Sequence, residues 1–331
     1  MANIYSSRYF ATVTFLLALL AGAVSAQAQE SESAKDGEDF VFEASSNEFR
    51  APTGVEPVAD GLYTFRWGAA RSLFMITDDG VIVTDPLNLK AARSLRDAIS
   101  KMTDQPVKYV VYSHSHKDRA AGAQIFKDEG AQIVAQEKCA DNIKETPYPG
   151  VLPPDITFSD HYTIELGGRA LELFYFGPSH DNCLITMWSR HASALYLVSL
   201  VQPPTGWSQP WDPMGADFYF NNIVHYLKSV EDLAQREEID WIVGGWISVG
   251  LDENGKKFLQ PPHGTMTALT EAREFWELVM AEVKAEVDKG TFVTQVADRM
   301  DLTPFESLSR YNEEHFKLFI RRVATYYTTG W

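Results

Sequence analysis

The sequence predicts an α/β fold in which two β-layers are covered by helices. Strand-like runs followed by helical segments occur twice, first from about residue 56 to 130 and again from about residue 156 onward. This order is typical of two sheets that pack together with helices outside them. With 331 residues, the chain can bury a large core, as one big domain or two smaller ones.

The first half begins with short apolar runs separated by turn residues. GLYTFRW, SLFMITDDG and VIVTD have the composition of strands, and the Asp-Asp-Gly sequence at 78–80 is a turn signal. Residues 89–102 have the spacing of a helix. The residues on its predicted apolar face are Ala92, Leu95, Ile99 and Met102. VKYVVYS is then predicted to be a buried strand, and AAGAQIFKDEG a helix closed by Gly130.

The second half repeats the order of strands and then helices. The predicted strands are ITFSD, YTIELGG, LELFYFG, NCLITMW and ALYLVSL. A helix at about 221–236 and the strand DWIVGGW follow. The last 65 or so residues are predicted to be mainly helical, and LTEAREFWELVMAEVKAEVDKG is their clearest amphipathic run.

The amino-terminal segment differs from the rest of the chain. Residues 1–28 contain one charge, Arg8, an apolar stretch from about Ala11 to Val24, and small residues near the end. The stretch is shorter than the about 20 residues that span a bilayer, which predicts a signal peptide and leaves an uncleaved anchor as the alternative. Residues 29–50 are polar and acidic and are predicted to be a linker. We therefore expect a periplasmic or secreted bacterial protein, not inserted in a membrane after cleavage.

Charge and cysteine content narrow the possible partners. A net charge of -16 argues against nucleic acids and anionic membrane surfaces, so a small-molecule substrate is expected. Whether the chain forms an oligomer is left open. The two cysteines, Cys139 and Cys183, are too few for a disulfide framework. They form either one bridge or two buried free thiols.

The stretch VVYSHSHKDRAAGAQIF has the pattern of a metal site. His114 and His116 follow an apolar strand at alternate positions, and alternate residues of extended backbone project to the same side. Asp118 comes two residues later, at the predicted start of a helix. A catalytic zinc site takes three protein ligands and a water, so a third histidine is needed. His180 in YFGPSHDNCLI, at a strand end in a Gly/Pro loop, is the best candidate.

HSHKDR and GPSHDN together resemble the metallo-β-lactamase superfamily, over about residues 56 to 250. DDGVIVTDP also matches, at the family's early strand and its buried aspartate, here Asp85. The resemblance implies a four-layer αββα sandwich. It assigns residues 51–264 to a metallo-β-lactamase-like domain and 265–331 to a helical C-terminal extension.

The resemblance fails at the second metal site that many members of the family have. Arg119 follows Asp118, as in some zinc β-lactamases, but the family's bridging position holds Ser199 and its late histidine position holds Trp246. Serine and an indole are poor zinc ligands. The resemblance therefore implies one Zn²⁺ per chain, held by the three histidines.

Several residues near the predicted site have two interpretations. Asp118 either acts directly, on the water or its proton, or anchors the site by hydrogen bonds. Ser199 is a filler or a nucleophile, and Trp246 packs or caps the vacated metal pocket. His263 is a loop residue or a replacement ligand. Residues of GWSQPWDPMGADFYF line the pocket, with Arg119 near its floor, or belong to the core: Trp207, Trp211, Phe218 and Tyr219.

Two classes of function fit these observations. In the first, the protein is a zinc hydrolase in which metal-bound hydroxide attacks an ester, lactone or amide. In the second, the site has degenerated and the protein binds a ligand or partner without catalysis. Loss of the second-site ligands favours binding alone, whereas the complete set of three histidines favours catalysis.

Overall fold

A computed structural model describes residues 51–206, 217–308 and 311–330. The predicted signal peptide and acidic linker lie outside these residues, as do Trp207 and Trp211. Among the described helices, none has the length and apolar character needed to cross a membrane.

The first sheet contains seven strands in chain order. They are β1 Gly54–Ala59, β2 Leu62–Trp67, β3 Ala70–Thr77, β4 Gly80–Thr84, β5 Val107–Val111, β6 Gln132–Gln136 and β7 Ile156–Phe158. Pairing is antiparallel from β1 to β4 and parallel from β4 to β7. Parallel neighbours need crossover connections, which contain α1 Leu89–Ile99, α2 Lys117–Ala120, α3 Gln124–Asp128 and α4 Glu137–Glu145.

The second sheet has six strands in the order β15-β12-β11-β10-β9-β8. Its strands are β8 His161–Leu166, β9 Arg169–Phe174, β10 Thr186–Ser189, β11 Ala194–Leu197, β12 Trp241–Gly244 and β15 His263–Gly264. Between β12 and β15, a hairpin is formed by β13 Val249–Leu251 and β14 Lys257–Leu259. The helices of this half are α5 Ile223–Arg236, α6 Met266–Asp288, α7 Val293–Arg299 and α8 Glu313–Thr329.

Side chains of the central strands of the first sheet alternate between its two faces. Helices cover one face and the second sheet covers the other, and further helices cover the second sheet, which gives four layers. One set of side chains, including Ile82, Val111 and Val134, packs in the same core as the second sheet and helices α5, α6 and α8. The opposite set, including Val110 and Ile133, packs against α1 and α3. Successive strand residues point to opposite faces, so each sheet is covered on both sides. The predicted αββα fold with C-terminal helices is confirmed.

Two details of the predicted helices are wrong. Helix α1 ends at Ile99, and Met102 lies beyond it with 40% of its surface exposed. The helix predicted in AAGAQIFKDEG is interrupted at Gly122, which has φ +96° and lies against the backbone of Asn88. A Cβ at Gly122 would approach the Asn88 carbonyl carbon to 2.6 Å, so the close contact requires glycine here.

Candidate metal centre

Three histidines from two loops meet at the carboxyl ends of strands. His114 and His116 follow β5, and His116 is the N-cap of α2. His180 lies in the loop between β9 and β10. One ligand atom from each of the three residues lies within 4.8 Å of the others. The structure thus brings together the three predicted ligands, in an arrangement in which they can share one ion.

The nitrogen atoms of these histidines suit a divalent metal. His114 Nδ1 is 2.9 Å from Ser113 Oγ, which leaves its Nε2 for an ion. Burial, and then the neighbouring histidines, lower the pKa of His114 well below its usual value. Burial likewise lowers the pKa of His180 to about 3. Neutral imidazole is the form that binds metal.

An unpaired nitrogen gives further support for this fit. His180 Nδ1 is buried and has no hydrogen-bond partner among the described residues. Buried polar atoms normally have a hydrogen-bond partner. A ring nitrogen without one fits a histidine whose natural partner is a bound ion. Three nitrogen donors are a common set for zinc at a catalytic site.

Asp118 and Arg119 lie on α2, two and three residues after its N-cap His116. Asp118 is partly exposed, and its Oδ2 is 3.7 Å from Arg119 Nε. Its carboxylate is not part of the metal-binding group found among the described residues. Arg119 is fully buried and donates hydrogen bonds of 3.1 Å to the carbonyls of Arg71 and Gly245. The structure therefore places a fixed positive charge, the guanidinium of Arg119, next to the carboxylate of Asp118.

Trp246 covers this guanidinium. The centre of the Arg119 guanidinium lies 4.3 Å from the centroid of the Trp246 ring, within the range of a cation–π interaction. The backbone of Trp246 bridges to Ala70, and its carbonyl accepts a 2.6 Å hydrogen bond from Arg71. Its indole is half-buried and packs on the cluster that contains Ala70 and Leu87.

Ser199 and Trp246 occupy equivalent positions just beyond the ends of two neighbouring strands. Strands β11 and β12 are parallel, with Leu197 opposite Gly244, and each residue of the pair lies two positions further along. Both residues therefore lie at the same edge of the sheet. Ser199 is half-buried. His263 lies on β15 opposite Val243 and is not part of the three-histidine group found in the described part of the chain.

Asp85 supports the loop that carries the first two histidines. Its Oδ1 accepts a 2.8 Å hydrogen bond from the Ser113 backbone N–H. Complete burial raises the pKa of Asp85 to about 6, an effect that the positive charge of Arg119 opposes. The residue has φ +41°, a conformation that is unfavourable for residues other than glycine. Asp85 thus fixes the residue directly before His114.

Sequence analysis missed the residues that hold the two histidine loops together. Asp181 accepts hydrogen bonds from the Ser115 hydroxyl at 2.9 Å and from the backbone N–H of Asn182. Asn142 of α4 donates to Ser115 Oγ at 3.0 Å and to Asn182 Oδ1 at 2.7 Å. The motif GPSHDN contained the signal for Asp181, which follows His180. Asn142 gave no such signal, because its role depends on where α4 packs.

A disulfide between Cys139 and Cys183 reinforces the same junction. The Cα atoms are 5.4 Å apart, and the bond ties α4 to the residue three positions after His180. Of the two alternatives left open by the sequence, the structure therefore contains the bridge. Cys139 and Asn142 lie three residues apart, on one face of α4, so a single helix face carries both connections.

An aromatic wall lies on the other side of His180. Phe218 forms a backbone bridge with His180, and their ring centroids are 5.4 Å apart. Trp276 of α6 packs edge-on against Phe218, also at 5.4 Å. The predicted C-terminal extension thus contacts the site through one intermediate residue. Phe218 is half-buried and packs against the main core cluster, which also contains Trp276.

Comparison with known proteins identifies the family. The model of the metallo-beta-lactamase superfamily matches residues 66–235, which is about half of the chain. The protein belongs to the metallo-beta-lactamase superfamily. The match contains His114, His116 and His180, and the family resemblance drawn from the sequence is confirmed.

Curated relatives of this superfamily member have different activities. The chain is 30% identical over 150 residues to the 2,4-dinitroanisole O-demethylase subunit alpha of Nocardioides sp. (strain JS1661), covering 44% of this chain and 46% of that protein. It is 24% identical over 143 residues to a metallo-beta-lactamase type 2 of Elizabethkingia meningoseptica, covering 40% and 56%. The matches thus span about half the length of these relatives.

Solved structures of the superfamily share the fold. A metallo-beta-lactamase from Pontibacter korlensis superimposes with a TM-score of 0.56 and 19% identity, covering 68% of this chain and 99% of that one. The DIM-1 metallo-beta-lactamase gives a TM-score of 0.55 and 17% identity, covering 70% and 99%. At such identities the likeness concerns the fold alone.

Proposed function

We propose that this protein is a zinc-dependent hydrolase that acts on an ester, lactone or amide with one zinc ion per chain. The observation that carries the proposal is the set of imidazole ligand atoms of His114, His116 and His180, within 4.8 Å of one another. Membership of the metallo-beta-lactamase superfamily supports it. A bound zinc ion supplies Lewis acidity and a water that ionises near pH 7, about 9 units below bulk water.

The protein's own groups would then position the reactants. Asp118 is partly exposed two residues after His116, and we propose that its carboxylate orients the attacking water or accepts its proton. Arg119 is buried and held by two carbonyls, so it forms a rigid floor rather than a mobile substrate ligand. Asp85 fixes the histidine loop from below through Ser113.

The substrate is proposed to present a neutral, apolar group to the pocket. Phe218 offers a half-buried ring beside His180, and Trp246 offers the exposed part of an indole. Neither ring carries a charge, and burial of an apolar substrate group against either ring would stabilise the complex. Trp207 and Trp211 remain predicted members of this pocket.

Cleavage of an aryl methyl ether is a second candidate reaction. The relative with 30% identity is named as an O-demethylase of 2,4-dinitroanisole, and the aromatic ring of Phe218 suits an aromatic substrate. Hydrolysis of such an ether consumes water and yields a phenol and methanol. Binding of a ligand or partner without turnover is the alternative if the histidines hold no metal.

Export to the periplasm, or secretion, is proposed as the location. The disulfide of Cys139 and Cys183 supports this proposal, since structural disulfides persist in oxidising compartments. Fractionation of the bacterial host of the full chain, with the mass of the mature amino terminus, would test it. Recovery of uncleaved protein from the cytoplasm would contradict it.

The activity is tested by assaying wild type and His116→Ala on three substrates. These are 4-nitrophenyl butyrate, a δ-lactone and 2,4-dinitroanisole. We expect turnover of an ester or lactone that needs zinc and is lost in His116→Ala. Turnover of the ether alone would select the second candidate. Zinc-loaded protein that turns over none of the three, nor 4-nitroacetanilide as a representative amide, would contradict both reactions.

A further inference from the structure

We infer that Asp217 is a positioning residue for the metal centre, which holds His116 in its ligand orientation from across the His180 loop. This inference rests on the proposed metal site. It concerns the stretch that leads into α5, residues 217–222, which we call the 217–222 segment. The motifs that predicted the metal site do not include any part of this segment.

Two carboxylates face the same nitrogen of His116. His116 Nε2 is 3.7 Å from Asp181 Oδ2 and 3.8 Å from Asp217 Oδ2. Metal-binding histidines commonly turn the ring nitrogen that does not bind the ion to a carboxylate, which fixes the ring and its tautomer. Neither carboxylate belongs to the group of metal-binding atoms found in the described residues. Both are therefore placed to act on His116 rather than on the ion.

The two carboxylates differ in their other contacts. Asp181 is buried, and its Oδ2 already accepts from the Ser115 hydroxyl while its Oδ1 accepts from the Asn182 N–H. The side chain of Asp217 is 54% exposed, and the contact found for its carboxylate among the described residues is the 3.8 Å approach to His116 Nε2. Asp181 thus also connects the two histidine loops by hydrogen bonds, whereas the carboxylate of Asp217 contacts, in the described part of the chain, only the metal-binding residue His116.

Backbone hydrogen bonds hold Asp217 at this position. The Asp181 N–H donates to the Asp217 carbonyl at 2.9 Å, and the Tyr219 N–H donates to the Ser179 carbonyl at 2.7 Å. Further along, the Asn222 side chain donates to the Pro178 carbonyl at 2.8 Å. The 217–222 segment is therefore attached to the His180 loop from Pro178 to Asp181. One segment fixes His180 through its backbone and reaches His116 through a side chain.

Metal affinity separates this role from a merely structural one. Zinc dissociation constants would be measured by chelator competition for wild type, Asp217→Asn and Asp217→Ala, with the absorption spectrum of each Co²⁺-loaded protein. Removal of an outer carboxylate partner typically weakens metal binding about 10–100-fold. We expect a loss in this range for Asp217→Ala, a smaller loss for the isosteric Asp217→Asn, and a changed cobalt spectrum in both.

Asp240→Asn is the matched control, because Asp240 is an exposed carboxylate that precedes β12, at the end of that strand away from Trp246. It should bind zinc as wild type does. Zinc affinity of Asp217→Ala within about twofold of wild type, with an unchanged cobalt spectrum, would overturn the inference. Failure of the proposed function is a different result, since wild type itself would then bind no metal. Equal melting temperatures of the metal-free proteins show that the variants fold.

Discussion

The pocket formed by the three histidines and the adjacent pocket formed by Arg119 and Trp246 differ in the charge of their own side chains. The histidine pocket contains imidazoles, and burial lowers the pKa of two of them, so they are neutral near pH 7. The adjacent pocket contains the guanidinium of Arg119, buried, bonded to two carbonyls and covered by Trp246. Neutral nitrogen donors attract a cation, whereas a fixed guanidinium repels one.

We propose that this difference separates the chain from the two-metal pattern that the family resemblance implies. Positive charge beside Asp118 comes from a side chain, 3.7 Å away, rather than from a second ion. A guanidinium is always protonated, so this charge does not depend on metal supply. In this proposal the histidine pocket takes a metal ion, whereas the adjacent pocket holds its positive charge as soon as the chain has folded.

Removing a histidine should have the largest effect on the first pocket. We expect His116→Ala to weaken zinc binding by more than about 100-fold, since even outer partners of a ligand account for about 10–100-fold. Ser199→Ala, at the family's bridging position, should retain zinc like wild type. Metal analysis after gel filtration measures both. Full zinc content in His116→Ala would show that the three histidines do not form the site.

Removing the guanidinium should destabilise the fold rather than empty the first pocket. Arg119→Ala leaves a cavity and two carbonyls without their donor, for an expected loss of about 3–5 kcal/mol in the free energy of unfolding. Urea denaturation measures it. Arg96→Ala, in an exposed ion pair on α1, should change stability by less than about 0.5 kcal/mol. Equal stability losses for these two variants would contradict the structural role of Arg119.

The disulfide should contribute less than Arg119 does. It closes a loop between residues 44 positions apart, and its loss in the double variant Cys139→Ser/Cys183→Ser should cost about 2–4 kcal/mol. Thiol titration of unfolded, unreduced wild type should find no free thiol. Two free thiols in that sample would mean that the cysteines are not bridged.

Local patterns in the sequence predicted much of the fold and the three histidines, because alternation and loop motifs report short-range structure. The break at Gly122 was missed because it depends on contact with Asn88, on another element. Asp217 was missed for a similar reason, since backbone pairing with the His180 loop brings it to His116. The disulfide depends on how α4 packs, which spacing of two cysteines does not reveal.

Rebuilding the second site tests whether Ser199 and Trp246 occupy the positions assigned to them. The paired residues Leu197 and Gly244 place both residues at the same edge of the sheet. Ser199→Asp with Trp246→His should therefore supply two ligands beside Asp118, and the added carboxylate should offset the positive charge of Arg119. Zinc content should then rise from about one to about two per chain. Trp246→His alone should remain near one. A folded double variant that still binds one ion would contradict this assignment.

Zinc content of the purified, untagged wild-type chain tests the central claim most directly. The account predicts close to one zinc ion per chain by metal analysis, lost in His116→Ala and unchanged in Ser199→Ala. This follows from three nitrogen ligands in one pocket and a guanidinium in the next. Two tightly held ions per chain, or none, would contradict it.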